Sequence, residues 1–402
     1  MREAPFLTHM GPLAITAKGS ETLALAQQAG QLKATGVEVF NFTVGEPDGP
    51  PPAPVIAAAH RAIDQGYHKY TPADGLSLLK EAIATWHHEV YGASDVAPEN
   101  IVVTAGAKQA ISEVLLIILK SGEEVILPRP CWVSYPTMVR IANGEPVYAD
   151  ADPAQGYRLS LESVRAAVSP RTAALLINSP SNPTGAVMDR ETVLGLCDLA
   201  EQENIWILSD DIYGSLVYDD VDWAVPGMFP QYRDRTISIH GVSKGFAMTG
   251  WRIGWLVAPE HLAKSVGRLQ SQFTSNANAV AQVAAATALT HPESKLAMLA
   301  LRERLRLRRN LMVDLLNQVE GIHAERSPGA FYCFADVQGL MERSGSATDY
   351  ELCQRLIKEA HVVAVPGSAF GQDGRLRFSF ATDEDTIRRG MEAVARFSDS
   401  FR

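Results

Sequence analysis

The stretch TAALLINSPSNPTGAVMDRETVLGLCDLAEQENIWILSDD, residues 172–211, contains the strand–helix–strand unit that decides the fold class. Residues 172–180 and 204–211 are near-continuous apolar runs, which are typical of parallel strands buried on both faces. Between them, residues 189–204 have helical spacing and acidic residues near the start, as a helix N-terminus favours. The unit therefore predicts an α/β protein with a parallel sheet and flanking helices.

This alternation of strands and helices extends over roughly residues 50–290, and the pattern then changes. NIVVTAG (100–106) predicts a strand that enters a glycine turn, and KQAISEVLLIILKSG (108–122) predicts the following helix. Residues 292–319 form one long helical pattern, whose basic residues are typical of a solvated face. Residues 329–397 then predict three strands and a helix. We expect a large domain and a smaller α+β domain.

Composition and charge exclude several function classes. The 402 residues are 46% hydrophobic and carry a formal net charge of −10, so the Lys/Arg surplus that binds nucleic acid or an anionic membrane surface is missing. No run of about 18 apolar residues predicts a membrane span, and the N-terminus lacks a signal-peptide pattern. The cysteines have neither C-x-x-C nor zinc-ligand spacing, which predicts reduced thiols in a cytoplasmic protein. They are Cys131, Cys197, Cys333 and Cys353.

A lysine lies in a Ser/Gly-rich turn between two apolar runs, in SIHGVSKGFAMTGWRIGW (238–255). A lysine amine is a poor nucleophile near its free pKa of about 10.4. Cationic or apolar surroundings lower that pKa, and the neutral amine then forms a Schiff base with a carbonyl. Ser243 beside Lys244 is small, and Arg252 offers a planar fork that suits phosphate. A surface lysine and a salt-bridged arginine are the alternative on these residues alone.

Two more polar side chains lie at or just after the end of the buried run 204–211. Asp210 lies at the strand end, where an open α/β sheet binds its ligand. A buried carboxylate needs a positive partner, and a protonated pyridine nitrogen would supply one. Tyr213 can point the same way from a turn. The alternative is an aspartate that caps a helix N-terminus.

Asn182 follows the preceding strand, and its amide can bind a phenolic oxygen and a carboxylate together. A cis bond to Pro183 would fix that aim, whereas an ordinary Asn-Pro turn is the alternative. TAGAKQAI (104–111) is a glycine turn that opens a helix, where free amide N–H groups favour phosphate. Pyridoxal phosphate would satisfy all these features, because it carries an aldehyde, a phenolate, a pyridinium nitrogen and a phosphate.

The sequence resembles the class I pyridoxal-phosphate aminotransferases of fold type I, and within them the bacterial aspartate/prephenate-type branch. The likeness covers nearly the whole chain, and its motifs follow the family's order: TVGEPD, KYTPADG, GAKQA, CWVSYP, NSPSNPTGAV, SDDIY, SKGFAMTGWRIG and GAFY. It implies a large cofactor-binding domain over 48–291, with a mostly parallel central sheet and helices on both faces. The smaller domain would be built from both chain ends, 1–47 and 292–402. The resemblance also implies a homodimer with shared active sites.

The resemblance assigns cofactor roles to the motif residues. Lys244 would hold the cofactor as a Schiff base and later move a proton, and Asp210 would keep the pyridine nitrogen protonated. Tyr213 and Asn182 would both bind the phenolic oxygen. The catalytic residues would be Lys244, Asp210 and Tyr213. Tyr70 would reach the phosphate in the neighbouring subunit. The ring and phosphate contacts within one subunit would come from Trp132, Gly106, Ala107, Lys108, Ser243 and Arg252.

The resemblance also implies how the substrate's α-carboxylate is bound. Arg377 would clamp it bidentately, helped by the backbone of Gly45 and by Asn182 and Trp132. Arg375 is a nearby competitor, but the run RFSFAT favours Arg377. The alternative for Trp132 is a plain core indole.

Three residues bear on the substrate side chain. Lys108 in the GAKQA turn matches the branch's contact to a distal carboxylate, and Lys18 and Thr22 match further contacts of that branch. Together they favour aspartate or another dicarboxylic amino acid, with 2-oxoglutarate as an acceptor. In one departure, Gly241 stands where the family often has a serine, so one phosphate hydroxyl would be missing.

The reaction implied is transamination with ping-pong kinetics. The same scaffold also serves aminotransferases for aromatic or other amino acids, β-lyases and decarboxylases, since a fold does not determine a chemistry. A second alternative is a non-enzymatic regulatory domain that senses the cofactor. Such proteins normally carry a DNA-binding segment, and an acidic chain with roughly 40 residues before TVGEPD disfavours this alternative.

Overall fold

The computed structural model describes residues 21–401, without the side chains of residues 21–24 and 26. The helices are α1 Glu21–Ala34, α2 Ala53–Asp64, α3 Ser77–Tyr91, α4 Ala107–Ile118, α5 Tyr135–Ile141, α6 Leu161–Ala167, α7 Arg190–Glu203, α8 Glu260–Phe273, α9 Ala279–Thr290, α10 Pro292–Leu316, α11 Gln338–Ser344, α12 Asp349–Arg355 and α13 Glu384–Asp399. The strands are β1 Phe40–Asn41, β2 Ile101–Thr104, β3 Glu124–Arg129, β4 Glu145–Asp150, β5 Thr172–Asn178, β6 Trp206–Asp210, β7 Thr236–Gly241, β8 Gly254–Val257, β9 Tyr332–Asp336, β10 Val362–Val363, β11 Val365–Pro366 and β12 Arg375–Ser379.

The large sheet has the strand order β2-β8-β7-β6-β5-β3-β4. All its strand pairs are parallel except the two that involve β8, which runs antiparallel to β2 and β7. Alternate residues of β5 bury opposite faces: Leu176 packs into the core beneath α4, α5 and α8, whereas Leu175 and Ile177 pack against α6 and α7. The prediction of an α/β fold with helices on both faces of a mostly parallel sheet is confirmed.

Two smaller sheets join the beginning and the end of the described chain. β1 pairs in parallel with β10, and the antiparallel sheet β11-β12-β9 lies beside them. Phe42 is fully buried here and meets Phe378 edge-on, with the ring centroids 6.0 Å apart. Residues that follow α1 therefore complete a core formed mostly by the last third of the chain.

The long helix α10 departs from its prediction in the burial of two arginines. Arg308 is buried and forms a two-bond pair with Asp48, with distances of 2.7 and 3.0 Å. Arg309 is buried too, and its Nη1 lies 2.6 Å from a carboxylate oxygen of Asp219. The prediction of a wholly solvated basic face is therefore wrong at these positions, because carboxylates from distant segments fold over the helix.

The topology places several loops at one edge of the large sheet. β5, β6 and β7 are adjacent and parallel, so Asn178, Asp210 and Gly241 all end strands at that edge. β2 is antiparallel to β8, which is antiparallel to β7, so β2 also ends there and α4 begins there. This carboxyl edge is where open α/β sheets bind ligands. Within residues 21–401, no helix is long and apolar enough to cross a membrane.

Candidate active site

A cavity of about 340 Å³ opens at this edge of the sheet. It brings together most of the residues that the sequence singled out: Gly45, Ala107, Lys108, Trp132, Asn182, Asp210, Tyr213, Ser243, Lys244, Arg252 and Arg377. Gly106 lies directly beside them as the N-cap of α4. Tyr70 lies elsewhere, with 88% of its surface exposed. Lys18 lies outside the described residues, and Thr22 belongs to α1 but its side chain is not described.

Lys244 lies in the turn after β7, and its amine points into the cavity. The Nζ atom donates a hydrogen bond of 2.5 Å to the carbonyl oxygen of Gly45. Burial lowers the pKa of the Lys244 amine to about 8, against the opposing pull of the Glu46 and Asp210 carboxylates. This environment differs from that of a surface lysine, because a useful fraction of the amine is neutral and nucleophilic near neutral pH.

Asp210 is the buried carboxylate of the cavity, with 4% of its surface exposed. The Tyr135 hydroxyl donates to Oδ2 over 2.6 Å, and the backbone N–H of Ile212 donates to Oδ1 over 3.3 Å. Burial raises the pKa of Asp210 to about 6, while these hydrogen bonds and the Lys244 charge act in the opposite direction. A turn follows β6 here, so Asp210 does not cap a helix. A buried carboxylate of this kind favours a cationic partner.

The start of α4 and the side chain of Arg252 form a corner whose N–H donors suit an anion, which we call the anion-binding corner. Gly106 has a φ of 90°, and a Cβ there would lie 2.5 Å from Arg252 Nη2. Glycine therefore lets the guanidinium lie against the turn, where Nη2 donates to the Ala105 carbonyl over 3.2 Å. Ser243 is buried beside this corner. The unpaired N–H groups of a helix N-terminus and an arginine fork suit a phosphate group.

Gly241, at the position where the family often has a serine, lies in a tightly packed place. A Cβ at this position would lie 3.0 Å from Ile212 Cδ1 and 3.0 Å from the Ile253 carbonyl oxygen. A serine would therefore require Ile212 to shift. The corner relies on Ser243, Arg252 and backbone donors.

Arg377 is a buried cation whose donors are only partly used, with 2% of its surface exposed. Nη1 donates to Asn182 Oδ1 over 2.8 Å, and Nη2 donates to the Thr43 carbonyl over 2.9 Å. Its Nε has no hydrogen-bond partner among the described residues. Arg375 is different, because it is paired with Asp336 on β9. The structure thus offers the cavity the guanidinium of Arg377, as the sequence favoured.

Lys108 and Trp132 meet at another side of the cavity. Lys108 Nζ lies 4.7 Å from the Trp132 ring centroid and donates to Ser134 Oγ over 3.3 Å. Partial burial and the nearby Arg252 charge lower the pKa of Lys108. An incoming carboxylate would relieve this repulsion between cations. Trp132 is not a plain core indole, since it lines the cavity.

The cavity residues that were not singled out from the sequence include Tyr135, Asn178 and Tyr332. Tyr135 holds Asp210, and Asn178 donates from Nδ2 to the Asp210 carbonyl over 2.7 Å while accepting from the Asn182 N–H over 2.9 Å. The Tyr332 hydroxyl lies 2.8 Å from the Tyr213 hydroxyl. Each belongs to a quoted motif, so a search for polar residues within CWVSYP, NSPSNPTGAV and GAFY would have found them.

The arrangement suits chemistry at an amine-reactive carbonyl. It combines a lysine of lowered pKa, a buried carboxylate, an anion-binding corner and an arginine with free N–H groups. Within the part of the chain that the structure describes, no group of three His, Cys, Asp or Glu side chains is placed to hold a metal ion.

Comparison with known proteins agrees with this geometry. The family model for aminotransferase class I and II matches residues 37–394. The chain belongs to this family. The aminotransferase is 40% identical over 387 residues to the aspartate/prephenate aminotransferase of Cereibacter sphaeroides, which covers 94% of this chain and 96% of that protein. It is 41% identical to the aspartate aminotransferase of Streptomyces avermitilis, over 94% of this chain and 93% of that one.

Solved structures give the same result for the fold. The aminotransferase matches the Thermus thermophilus aspartate aminotransferase solved with maleate at a TM-score of 0.91 and 38% identity. The match covers 96% of this chain and 99% of the other. It matches the Rhizobium meliloti aspartate aminotransferase at a TM-score of 0.92 and 36% identity, over 97% and 99% of the two chains. The fold-type expectation is confirmed along nearly the whole chain.

Proposed function

We propose that this aminotransferase binds pyridoxal phosphate in the cavity and moves an amino group from L-aspartate, or another dicarboxylic amino acid, to a 2-oxo acid such as 2-oxoglutarate. The observation that carries the proposal is the meeting of Lys244, Asp210, the anion-binding corner and Arg377 in one cavity. The names of the two protein relatives support an aspartate-like donor.

The residues present fit the cofactor. When bound, pyridoxal phosphate supplies an aldehyde that condenses with an amine and a protonated ring that withdraws electrons. The corner at Gly106 and Arg252 would hold the phosphate, together with Ser243 and the backbone of Ala107 and Lys108. Asp210 would pair with the ring nitrogen, and Tyr213 would donate to the phenolic oxygen. Trp132 offers a flat ring for stacking.

Asn182 would serve both the cofactor and the substrate. Its Oδ1 accepts from Arg377, so its amide nitrogen is the group left to donate to a phenolic oxygen. In this role Asn182 connects the phenolic oxygen to the guanidinium that receives the substrate carboxylate.

Lys244 is the group that moves the proton. Its lowered pKa of about 8 leaves part of the amine neutral near neutral pH, so Nζ can accept a proton from the substrate α-carbon and would donate it to the cofactor carbon that carried the aldehyde. The Gly45 carbonyl, which accepts from Nζ over 2.5 Å, holds the amine at the cavity wall. A base of this pKa works in both directions, as two linked half-reactions require.

Two cations orient a dicarboxylic substrate. Arg377 lines the cavity and uses one N–H each of Nη1 and Nη2 in bonds to Asn182 and Thr43, so its remaining Nη N–H groups suit an α-carboxylate, and the Gly45 backbone borders the same space. Lys108 lies at the exposed side of the cavity and suits a distal carboxylate. The Thermus thermophilus relative was solved with maleate, which is itself a dicarboxylate. Lys18 and Thr22 would add side-chain contacts from the N-terminal segment.

We also propose a homodimer in which Tyr70 reaches the phosphate of the neighbouring subunit. Its loop is fixed to the rest of the chain, because Gln282 donates to Thr71 Oγ1 over 3.2 Å and accepts from the Leu76 N–H over 2.7 Å. Tyr70 nevertheless is 88% exposed. An aromatic side chain held outward on an anchored loop is typical of an interface.

The domain arrangement and compartment complete the proposal. Residues 48–291 would form the large domain, and 1–47 with 292–402 the small one. The pairing of β1 with β10 and the packing of Phe42 among residues of the chain's last third support this division. The four cysteines are buried and free, which suits the reducing cytoplasm.

The test is incubation of the purified, cofactor-loaded protein with single amino acids while the visible cofactor band is followed. We expect aspartate and glutamate to discharge the band and phenylalanine to leave it. Lys108→Met should raise KM for aspartate far more than KM for alanine, which has no distal carboxylate. Discharge by phenylalanine but not by dicarboxylic amino acids would overturn the substrate assignment, and the absence of any band would overturn the cofactor assignment.

A second candidate acceptor has its own support. The Cereibacter sphaeroides relative is named an aspartate/prephenate aminotransferase. Prephenate as the 2-oxo acid in place of 2-oxoglutarate, with aspartate as donor, tests this candidate directly. The protein is first treated with aspartate until the visible band is discharged, and prephenate is then added. Recovery of the band would establish prephenate as an acceptor.

A further inference from the structure

Tyr332 touches both functional ends of the cavity. It is the first residue of β9, has 1% of its surface exposed and lines the cavity wall. Its hydroxyl lies 2.8 Å from the hydroxyl of Tyr213. Its ring centroid lies 4.4 Å from the guanidinium carbon of Arg377. One side chain therefore connects the phenol assigned to the cofactor with the cation assigned to the substrate.

The two phenols can share one proton between their oxygens. Each hydroxyl carries one proton, and only one of the two protons lies between the oxygens. The other proton can be donated to another group. Burial raises the pKa of both Tyr213 and Tyr332, so both remain protonated near neutral pH. If Tyr332 donates to Tyr213, the Tyr213 proton is the one left for a ligand. A hydroxyl that accepts one hydrogen bond becomes a stronger donor in the next.

The ring of Tyr332 also supports Arg377. Bonds to Asn182 Oδ1 and the Thr43 carbonyl fix the guanidinium at two nitrogens. The Tyr332 ring lies 4.4 Å from its centre and the Phe370 ring 5.0 Å. Cation–π contact with a buried guanidinium is worth more than at an exposed site, because water does not compete. The ring therefore helps to hold the N–H groups that Arg377 keeps unpaired.

We propose that Tyr332 is a positioning residue with two separable roles. Its hydroxyl donates to Tyr213 and strengthens the hydrogen bond from Tyr213 to the cofactor's phenolic oxygen. Its ring holds Arg377 in place for the substrate carboxylate. This inference rests on the proposed function, since it assigns Tyr332 to the same site.

The first role has a spectroscopic consequence. A strong hydrogen bond to the phenolic oxygen stabilises its ionised form. The oxygen then stabilises less strongly the proton on the nitrogen that would join Lys244 to the cofactor. The pH at which the visible cofactor band titrates is therefore lowered. The charged groups that face the phenol pair are Lys244, Asp210 and Arg377, and all three remain in a Tyr332→Phe variant.

The experiment compares variants of the loaded protein by spectrophotometric pH titration and by KM. Tyr332→Phe removes the hydroxyl but keeps the ring, so the titration midpoint should rise, by less than in Tyr213→Phe, and KM should rise less than in Tyr332→Leu. Tyr332→Leu also removes the ring, and KM for the amino acid should rise on the order of tenfold.

Tyr218→Phe is a matched control. Tyr218 is also buried, also lies over an arginine, with Arg309 5.1 Å from its ring, and its hydroxyl donates to the Ala330 carbonyl outside the cavity. It should leave the titration midpoint unchanged. Circular dichroism and the thermal midpoint verify that each variant is folded.

The outcomes separate the inference from the function on which it rests. A wild-type protein without a visible band overturns the proposed cofactor. A normal wild-type band with an unchanged midpoint in Tyr332→Phe, while Tyr213→Phe shifts it, overturns the hydroxyl role. An unchanged KM in a folded Tyr332→Leu variant overturns the ring role.

Discussion

Asp210, the last residue of β6, and the next residue, Asp211, lie in contrasting surroundings. Asp210 faces the cavity, where Tyr135 donates to it over 2.6 Å. Asp211 is buried away from the cavity, where Ser209 Oγ donates to Oδ1 over 2.5 Å and Oδ2 lies 3.5 Å from His240 Nε2. Burial raises the pKa of both carboxyl groups.

Asp211 belongs to a buried group of polar and aromatic side chains outside the cavity, which we call the enclosed cluster. Its other members are His87, Tyr91, His240 and Trp255. The Tyr91 hydroxyl oxygen lies 3.5 Å from His240 Nδ1, and the Trp255 indole N–H donates to His87 Nε2 over 3.3 Å. Burial lowers the pKa of His240 to about 3, so this histidine is neutral. The enclosed cluster thus has pKa shifts as strong as those of the cavity. The comparison teaches that a shifted pKa marks burial, whereas a functional site also needs space and unsatisfied donors aimed into it.

The largest loss of activity is expected in the cavity, from a change at Lys244. Lys244→Met removes the amine that is proposed to move the proton, so kcat/KM should fall by at least about 10⁴-fold. Steady-state assay with aspartate and 2-oxoglutarate measures it. Activity within about tenfold of wild type would contradict the role assigned to this residue.

The paired aspartates give the most direct comparison. Asp210→Asn removes a charge aimed into the cavity, and kcat should fall about 10²–10³-fold. Asp211→Asn changes a side chain that lies outside the cavity and keeps its size and shape, so kcat should change by less than about threefold. Equal losses in the two variants, measured in parallel assays, would show that the enclosed cluster takes part in the chemistry.

The sequence was sufficient for the fold and for most of the cavity, and the reason is local. The β5–α7–β6 unit has its pattern within residues 172–211, and each motif lies in one loop at the sheet edge. Long-range partners could not be predicted in this way. Arg308 is buried because Asp48 lies against it from 260 positions away, and no local pattern indicates that pairing.

The position of Tyr332 illustrates the same limit at the site. Its motif GAFY was recognised, but its contacts depend on Tyr213 from a loop 119 positions earlier. The restriction at Gly241 likewise comes from Ile212 and Ile253, which meet it only in the folded sheet. Sequence reasoning identified most of the motif residues that line the cavity, whereas the contacts that hold them in position are visible only in the structure.

The two strand-mates Arg377 and Arg375 sharpen the comparison further. Arg377→Lys loses the planar fork, and KM for the amino acid should rise on the order of 10–100-fold with a smaller change in kcat. Arg375→Lys keeps a cation beside Asp336, and its KM should stay within about threefold of wild type. A larger KM effect in Arg375→Lys would reverse the assignment of the carboxylate clamp.

The smallest expected effect is a pH dependence. Lys244 must be neutral to condense with an aldehyde, and burial lowers its pKa to about 8. The rate at which cofactor-free protein takes up pyridoxal phosphate should therefore rise about fivefold from pH 7 to pH 8 and level off above that. Rapid-mixing absorbance measures it. A rate that keeps rising tenfold per unit to about pH 10 would indicate an ordinary exposed lysine.

The most direct test of the account is the site of covalent attachment. The protein supplied with pyridoxal phosphate is reduced with borohydride, digested and mapped by mass spectrometry. We predict a reduced adduct on Lys244, in the peptide that contains GVSKGF. An adduct on Lys108 or another lysine instead, or none at all, would contradict the central claim.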